Sequence, residues 1–102
     1  MVWDVTAIHT TYPDFLNTRI RKNIFHNDQN PFLSDIFKRV GSHKERMEIV
    51  EGGPCVVLAT SGMLVGGASV EYLKHFADNK KNSLIFVSYQ GVGSLGNKIQ
   101  RG

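Results

Sequence analysis

Two consecutive units in the second half of the chain constrain its fold most strongly. Each has an apolar run of strand length, then a glycine-bearing loop, then the start of a helix. The first spans residues 54–71 (PCVVLATSGMLVGGASVE) and the second residues 83–96 (SLIFVSYQGVGSLG). Such a loop points backbone N–H groups outward at the positive end of a helix dipole, which suits a phosphate. Two loops side by side favour a phosphodiester chain or a dinucleotide as the ligand.

Apolar runs that alternate with helices predict an α/β fold, a parallel-type sheet flanked by helices. Parallel neighbours need a crossover connection, and a helix supplies it. Ligands of such sheets bind at the carboxyl ends of the strands, where both glycine loops fall. Besides the apolar runs of the two units, residues 32–40 are apolar enough for a strand.

Capping residues and apolar spacing predict where the helices begin. Thr10 or Thr11 caps a helix with Pro13 in its first turn, and this helix has a basic face. Ser42 and Glu45 have the spacing of a capping box, which opens a helix that runs to about residue 50. Two further helices are predicted near residues 67–77 and from about residue 94, while residues 1–9 suggest only the end of a helix.

Composition narrows the functional classes. The chain has 102 residues, 41% of them hydrophobic, and a net charge of +3, which fits one domain and permits contact with a polyanion. Cys55 is the only cysteine, so no internal disulfide forms and a cytoplasmic location is expected. No apolar run is long enough to span a membrane, and no signal peptide is recognisable.

The residues alone indicate anion binding without catalytic machinery. The chain has no P-loop pattern, and no G-x-S-x-G motif surrounds any serine. The four histidines are far apart and none has metal-ligand spacing, so no metal site is expected in this chain. The acidic residues form no pair that marks a general acid and base. The histidines are His9, His26, His43 and His75.

The glycines of the second unit offer an alternative interpretation. Gly91, Gly93 and Gly96 match G-x-G-x-x-G after an apolar run. That fingerprint is typical of dinucleotide-binding domains, which also carry an acidic residue about twenty positions further on. The chain ends before that position, so a stand-alone nucleotide-binding or dinucleotide-binding α/β domain stays an alternative hypothesis.

Taken together, the motifs resemble a known family over essentially the whole chain. The chain is similar to the β-CASP domain of RNA-processing metallo-β-lactamases, in particular to archaeal homologues of the cleavage and polyadenylation specificity factor nuclease. Gly91 departs from the family, which more often has alanine there. The matching stretches are residues 6–10 (TAIHT), Tyr12-Pro13, 30–37 (NPFLSDIF), 59–67 (ATSGMLVGG), 69–74 (SVEYLK), 82–90 (NSLIFVSYQ), 94–96 (SLG) and 99–102 (IQRG).

The resemblance implies a Rossmann-like, partial β-CASP fold within a zinc-dependent ribonuclease of RNA 3′-end processing or decay. In such an enzyme, two zinc ions bound by a metallo-β-lactamase domain activate water against a phosphodiester. Neither the H-x-H-x-D-H zinc signature nor that domain is present here. Residues 1–102 are therefore expected to be the central part of a β-CASP domain, inactive alone. Its expected partners are single-stranded RNA and the metallo-β-lactamase domain in cis, and a homodimer of the parent is left open.

The resemblance also implies which residues contact RNA. The loop of the first unit is expected to face the RNA backbone, and the end of the second apolar run is expected to continue that surface. Such contacts hold the backbone in register without reading bases. The bland alternative is that the glycines only permit tight turns. The implied RNA-phosphate-binding residues are Ser61, Gly62, Met63, Gly66, Gly67, Ser69, Tyr89, Gln90 and Ser94.

Overall fold

The structure, a computed structural model, describes residues 2–32 and 37–102, and all regular secondary structure in these ranges is helical. The chain divides into two compact units, Met1–Gly41 and Ser42–Gly102. The first contains helix α1 (Val2–Thr11), a short 3-10 helix (Pro13–Phe15) and helix α2 (Thr18–Asn27). The second contains helices α3 (His43–Glu51), α4 (Ala68–Phe76) and α5 (Leu95–Arg101). None of the described helices is long and apolar enough to cross a membrane.

The start of the first unit differs from the prediction. Thr11 ends α1 instead of capping the next helix, and Pro13 begins the 3-10 helix. Helix α2 begins only at Thr18, because Asn17 caps it by accepting a hydrogen bond from the N–H of Ile20 at 3.0 Å. The 3-10 helix packs on both α1 and α2. No described residue of this unit is buried.

The helix starts of the second unit are confirmed. Ser42 and Glu45 form the predicted capping box, with hydrogen bonds of 3.2 Å and 3.0 Å in the two directions. Ser94 caps α5 through a bond from the N–H of Asn97 at 3.1 Å. The apolar spacing of α4 did not single out Tyr72, which is the buried residue of that helix.

The predicted α/β fold with a parallel-type sheet is wrong for the described residues, which contain no strand. Residues 55–59 and 83–87, called the apolar segments below, lie in irregular structure. A strand forms only when a second segment supplies hydrogen-bond partners. No described residue hydrogen-bonds to the backbone of either apolar segment, and Val56 and Val87 are 88% and 91% exposed. Of the strand predicted at 32–40, residues 33–36 lie outside the described ranges and 37–40 have no regular structure.

Candidate nucleic-acid interface

The first glycine loop, residues 60–67, is closed by its own backbone and leads into α4. The N–H of Ser61 donates to the Gly66 carbonyl at 3.2 Å, and the N–H of Leu64 donates to the Ser61 carbonyl at 3.2 Å. Leu64 has a left-handed backbone conformation (φ 54°), which is uncommon for a leucine, and its side chain is buried. The loop therefore has a defined shape, and burial of Leu64 offsets the cost of that conformation.

Ser69 and Gly67 attach this loop to the first turn of α4. The hydroxyl of Ser69 donates to the Ser61 carbonyl at 2.7 Å, and its N–H donates to the Thr60 carbonyl at 2.9 Å. Gly67 has φ 77°, and a Cβ there would lie 3.0 Å from the Thr60 oxygen. Glycine is therefore required at this position for two reasons, its conformation and the close approach of the backbone.

The second glycine loop, residues 88–94, is joined to the first through Gln90. Its side chain is 3% exposed, and its Nε2 donates to the Gly62 carbonyl at 2.9 Å and to the Ser88 carbonyl at 3.1 Å. Two bonds reach Met63 from the other side: the N–H of Gly96 donates to its carbonyl at 3.2 Å, and the N–H of Gly91 to its Sδ at 3.4 Å. Together the two loops form one assembly, the paired loops.

Gly96 makes this assembly possible because it has no side chain. A Cβ at this position would overlap Oε1 of Gln90, with the Gln90 Cδ at 2.8 Å and a Phe86 ring carbon at 3.1 Å. The third glycine of the G-x-G-x-x-G pattern therefore admits a buried carboxamide. Its N–H is already bonded to Met63. The N–H groups of Gly91 and Gly96 both have partners within the protein.

Arg46 fixes α3 against the beginning of α4, an interaction that the sequence did not reveal. Its guanidinium forms an ion pair with the carboxylate of Glu71 and lies 5.9 Å from the ring centroid of Tyr72. The Tyr72 ring stacks in turn on Phe76, with centroids 6.0 Å apart. A guanidinium over an aromatic face is attractive. The signal was the position of Glu71 in the first turn of α4, which suggested only a dipole interaction.

The structure brings the predicted RNA-contacting residues together in the paired loops, but it uses several of their polar atoms internally. Ser61 Oγ accepts from the N–H of Val65 at 3.4 Å, and Ser94 Oγ accepts from the N–H of Asn97. The hydroxyl of Ser69 and the amide of Gln90 are engaged as described. The other predicted contacts, of which Gly66 is half-buried and the rest are exposed, are Gly62, Met63, Gly66, Gly67 and Tyr89.

The described residues do not fit the zinc site that the resemblance implies for the parent enzyme. Across residues 2–32 and 37–102, no group of three or more His, Cys, Asp or Glu side chains is arranged to hold a metal ion. This arrangement therefore offers backbone contacts and one exposed aromatic ring, and no metal-dependent step is assigned to it.

Comparison with known proteins gives a consistent result. The family model of the Beta-Casp domain matches residues 1–99. Proteins called transcription termination factor FttA are similar to the whole chain: that of Methanocaldococcus jannaschii is 58% identical, that of Lokiarchaeum sp. 57% and that of Thermococcus kodakarensis 56%. The chain spans 16% of the length of each of these relatives. Since the family match covers nearly every residue, this chain belongs to the Beta-Casp domain family.

Proposed function

We propose that this chain is the RNA-backbone-engaging part of a β-CASP ribonuclease that acts in RNA 3′-end processing or termination. The chain positions single-stranded RNA, and the parts of the parent protein beyond it provide catalysis. Its similarity to archaeal termination factors supports an RNA ligand. In that parent, two zinc ions held by a metallo-β-lactamase domain would supply the activated water.

The exposed backbone at the start of α4 carries this proposal. No hydrogen bond within the described ranges uses the N–H groups of Gly66, Gly67 or Ala68. They lie at the positive end of a nine-residue helix, where a phosphate oxygen is stabilised by both the donors and the dipole. The internal bonds of Ser69 and Gln90 hold these donors in place, so little ordering is needed on binding.

Tyr89 extends the same surface toward the bases. Its side chain is 78% exposed, and it lies in the second glycine loop directly before the buried Gln90. An exposed ring beside a phosphate-binding backbone suits stacking on one base of a single strand, which is insensitive to sequence. Backbone donors and one stacking ring hold a strand in register but do not read it.

The test is an added negative charge at Gly66, where a side chain has space because nothing lies within 4 Å of its Cβ position. Gly66→Asp is expected to weaken single-stranded RNA binding about tenfold, which corresponds to roughly 1.4 kcal/mol. Affinity is measured by fluorescence anisotropy on the full chain, with helix content checked by circular dichroism. The matched control is Gly53→Asp, also in open space and outside the paired loops.

The outcomes separate the candidate functions. Equal affinity for wild type and Gly66→Asp would show that the first glycine loop does not cradle phosphate. Displacement of the RNA by NAD would favour the alternative nucleotide-binding domain built on Gly91, Gly93 and Gly96. That alternative is weakened by the bonds from Gly91 and Gly96 to Met63, because these donors are already satisfied. A parallel weakening in Gly53→Asp would indicate a general charge effect.

A further inference from the structure

The paired loops contain no lysine or arginine between residues 60 and 69 or between 88 and 94. Neutralisation of phosphates by cations provides much of the affinity of proteins for nucleic acids. An RNA-binding chain of this kind therefore needs a cationic surface elsewhere, and the first unit has one on α2.

Helix α2 concentrates positive charge in its first half. Arg19, Arg21 and Lys22 fall within four consecutive residues, and the helix contains no acidic residue. No ion pair within the described part of the chain neutralises any of the three. Arg21 donates to the backbone carbonyl of Asp14 at 3.2 Å, which orients its guanidinium without cancelling its charge.

Phe25 lies beside these cations and is exposed. It follows Arg21 by four residues and Lys22 by three, so all three side chains occupy one face of the helix. The apolar residues of the opposite face, Ile20 and Ile24, are half-buried, whereas Phe25 is 57% exposed. A cleft of about 350 Å³ runs along the face and is lined by Asp14, Thr18, Arg21, Lys22, Phe25 and His26.

We propose that this basic face of α2 (Arg21, Lys22 and Phe25) is a second binding surface for single-stranded RNA. Arg21 and Lys22 each contact a phosphate, and Phe25 stacks on an unpaired base. An exposed aromatic ring between cations fits a single strand, because a duplex keeps the faces of its bases stacked on each other. The choice of ligand rests on the proposed function, while the surface itself lies in a different unit from the paired loops.

The cations are tested through the salt dependence of binding. Anisotropy titrations of a short single-stranded RNA are run across a salt series on wild type and on the double variant Arg21→Gln/Lys22→Gln. Each lost phosphate contact is expected to lower the slope of log K against log salt by about 0.7, so the double variant lowers it by about 1.4. Lys22→Gln alone leaves the bond between Arg21 and Asp14 intact and is expected to lower the slope by about 0.7.

Two further variants test position and stacking. Lys80→Gln/Lys81→Gln removes the same charge from two exposed residues of the second unit and is expected to leave the slope within error of wild type. Phe25→Ala is expected to weaken RNA binding about tenfold, since stacking on one base contributes about 1–3 kcal/mol, with the salt slope unchanged.

The proposal is overturned if Arg21→Gln/Lys22→Gln leaves the slope unchanged, or if the Lys80 and Lys81 control lowers it equally. Displacement of RNA by polyglutamate together with an unaffected Phe25→Ala variant would identify a site for acidic protein segments instead. Failure of the paired loops is recognised separately: Gly66→Asp then binds as wild type while the α2 variants still lose affinity. The reverse pattern supports the paired loops and rejects α2.

Discussion

The paired loops and the apolar segments that precede them differ in how they are held. The loops are connected by hydrogen bonds and enclose Leu64 and Gln90, which are 5% and 3% exposed. The apolar segments are richer in large aliphatic residues, yet Val56 and Val87 are almost fully exposed. Hydrophobic composition alone therefore did not decide which part of this unit is packed.

The reason is the source of the backbone hydrogen bonds. The first loop satisfies its polar groups locally, through the carbonyls of Ser61 and Gly66, and needs only one contact with the second. An extended segment has no such local partners, and its N–H and C=O groups are satisfied by a neighbouring strand or by water. The following predictions test whether the packed loops are the more sensitive region.

Gly96→Ala is expected to have the largest effect. Its Cβ would overlap the carboxamide of Gln90, and overpacking of this kind costs about 3 kcal/mol in free energy of unfolding. Urea denaturation measures the loss. Gly53→Ala, where nothing lies within 4 Å, is the control and is expected to change stability little.

A double-mutant cycle makes this prediction specific. If the clash with Gln90 is the cause, Gly96→Ala costs less in a Gln90→Ala background than in the wild type. Equal costs in the two backgrounds would contradict the contact between Gln90 and Gly96.

Gln90→Leu is expected to come second. It removes the bonds to the carbonyls of Gly62 and Ser88, and the resulting loss is about 2 kcal/mol because the Gly62 oxygen loses its partner. Thermal unfolding provides the measurement, with Gln100→Leu at the exposed end of α5 as the control. A Gln90→Leu variant as stable as Gln100→Leu would mean that the two loops are not joined by this side chain.

Val87→Thr is expected to have the smallest effect. The side chain is 91% exposed, so the substitution removes almost no buried apolar area and changes stability by less than about 0.5 kcal/mol. The measurement is the same denaturation experiment. A loss comparable to that of Gln90→Leu would show that this apolar segment is packed in solution, and would remove the contrast between the two regions.

Helix starts were the most predictable part of the fold. Ser42 and Ser94 cap α3 and α5 as their spacing predicted, since a cap depends on atoms only three residues away. The start of α2 was predicted wrongly, because threonines before a proline were interpreted as the cap and Asn17 was overlooked. The sheet was also predicted wrongly, since apolar runs do not reveal whether a partner strand is present.

The candidate site was only partly predictable. The glycine pattern located both loops, and the structure brings the predicted residues together there. Their individual RNA contacts stay a prediction. The pattern did not reveal that the Gln90 amide points inward, or that Arg46 binds Glu71 and Tyr72. These contacts join residues far apart in the chain, so no local spacing reports them.

The sequence by itself determined the family, the helix caps and the positions of both glycine loops, because each depends on residues within a few positions of one another. Only the tertiary structure decided that Gln90 bonds to Gly62, 28 residues away, and that Gly96 must lack a side chain to admit it. It also decided that the apolar segments lie outside any sheet in the described residues. The physical reason is shared: a long-range contact or a strand pair exists only when the fold brings its second partner into reach.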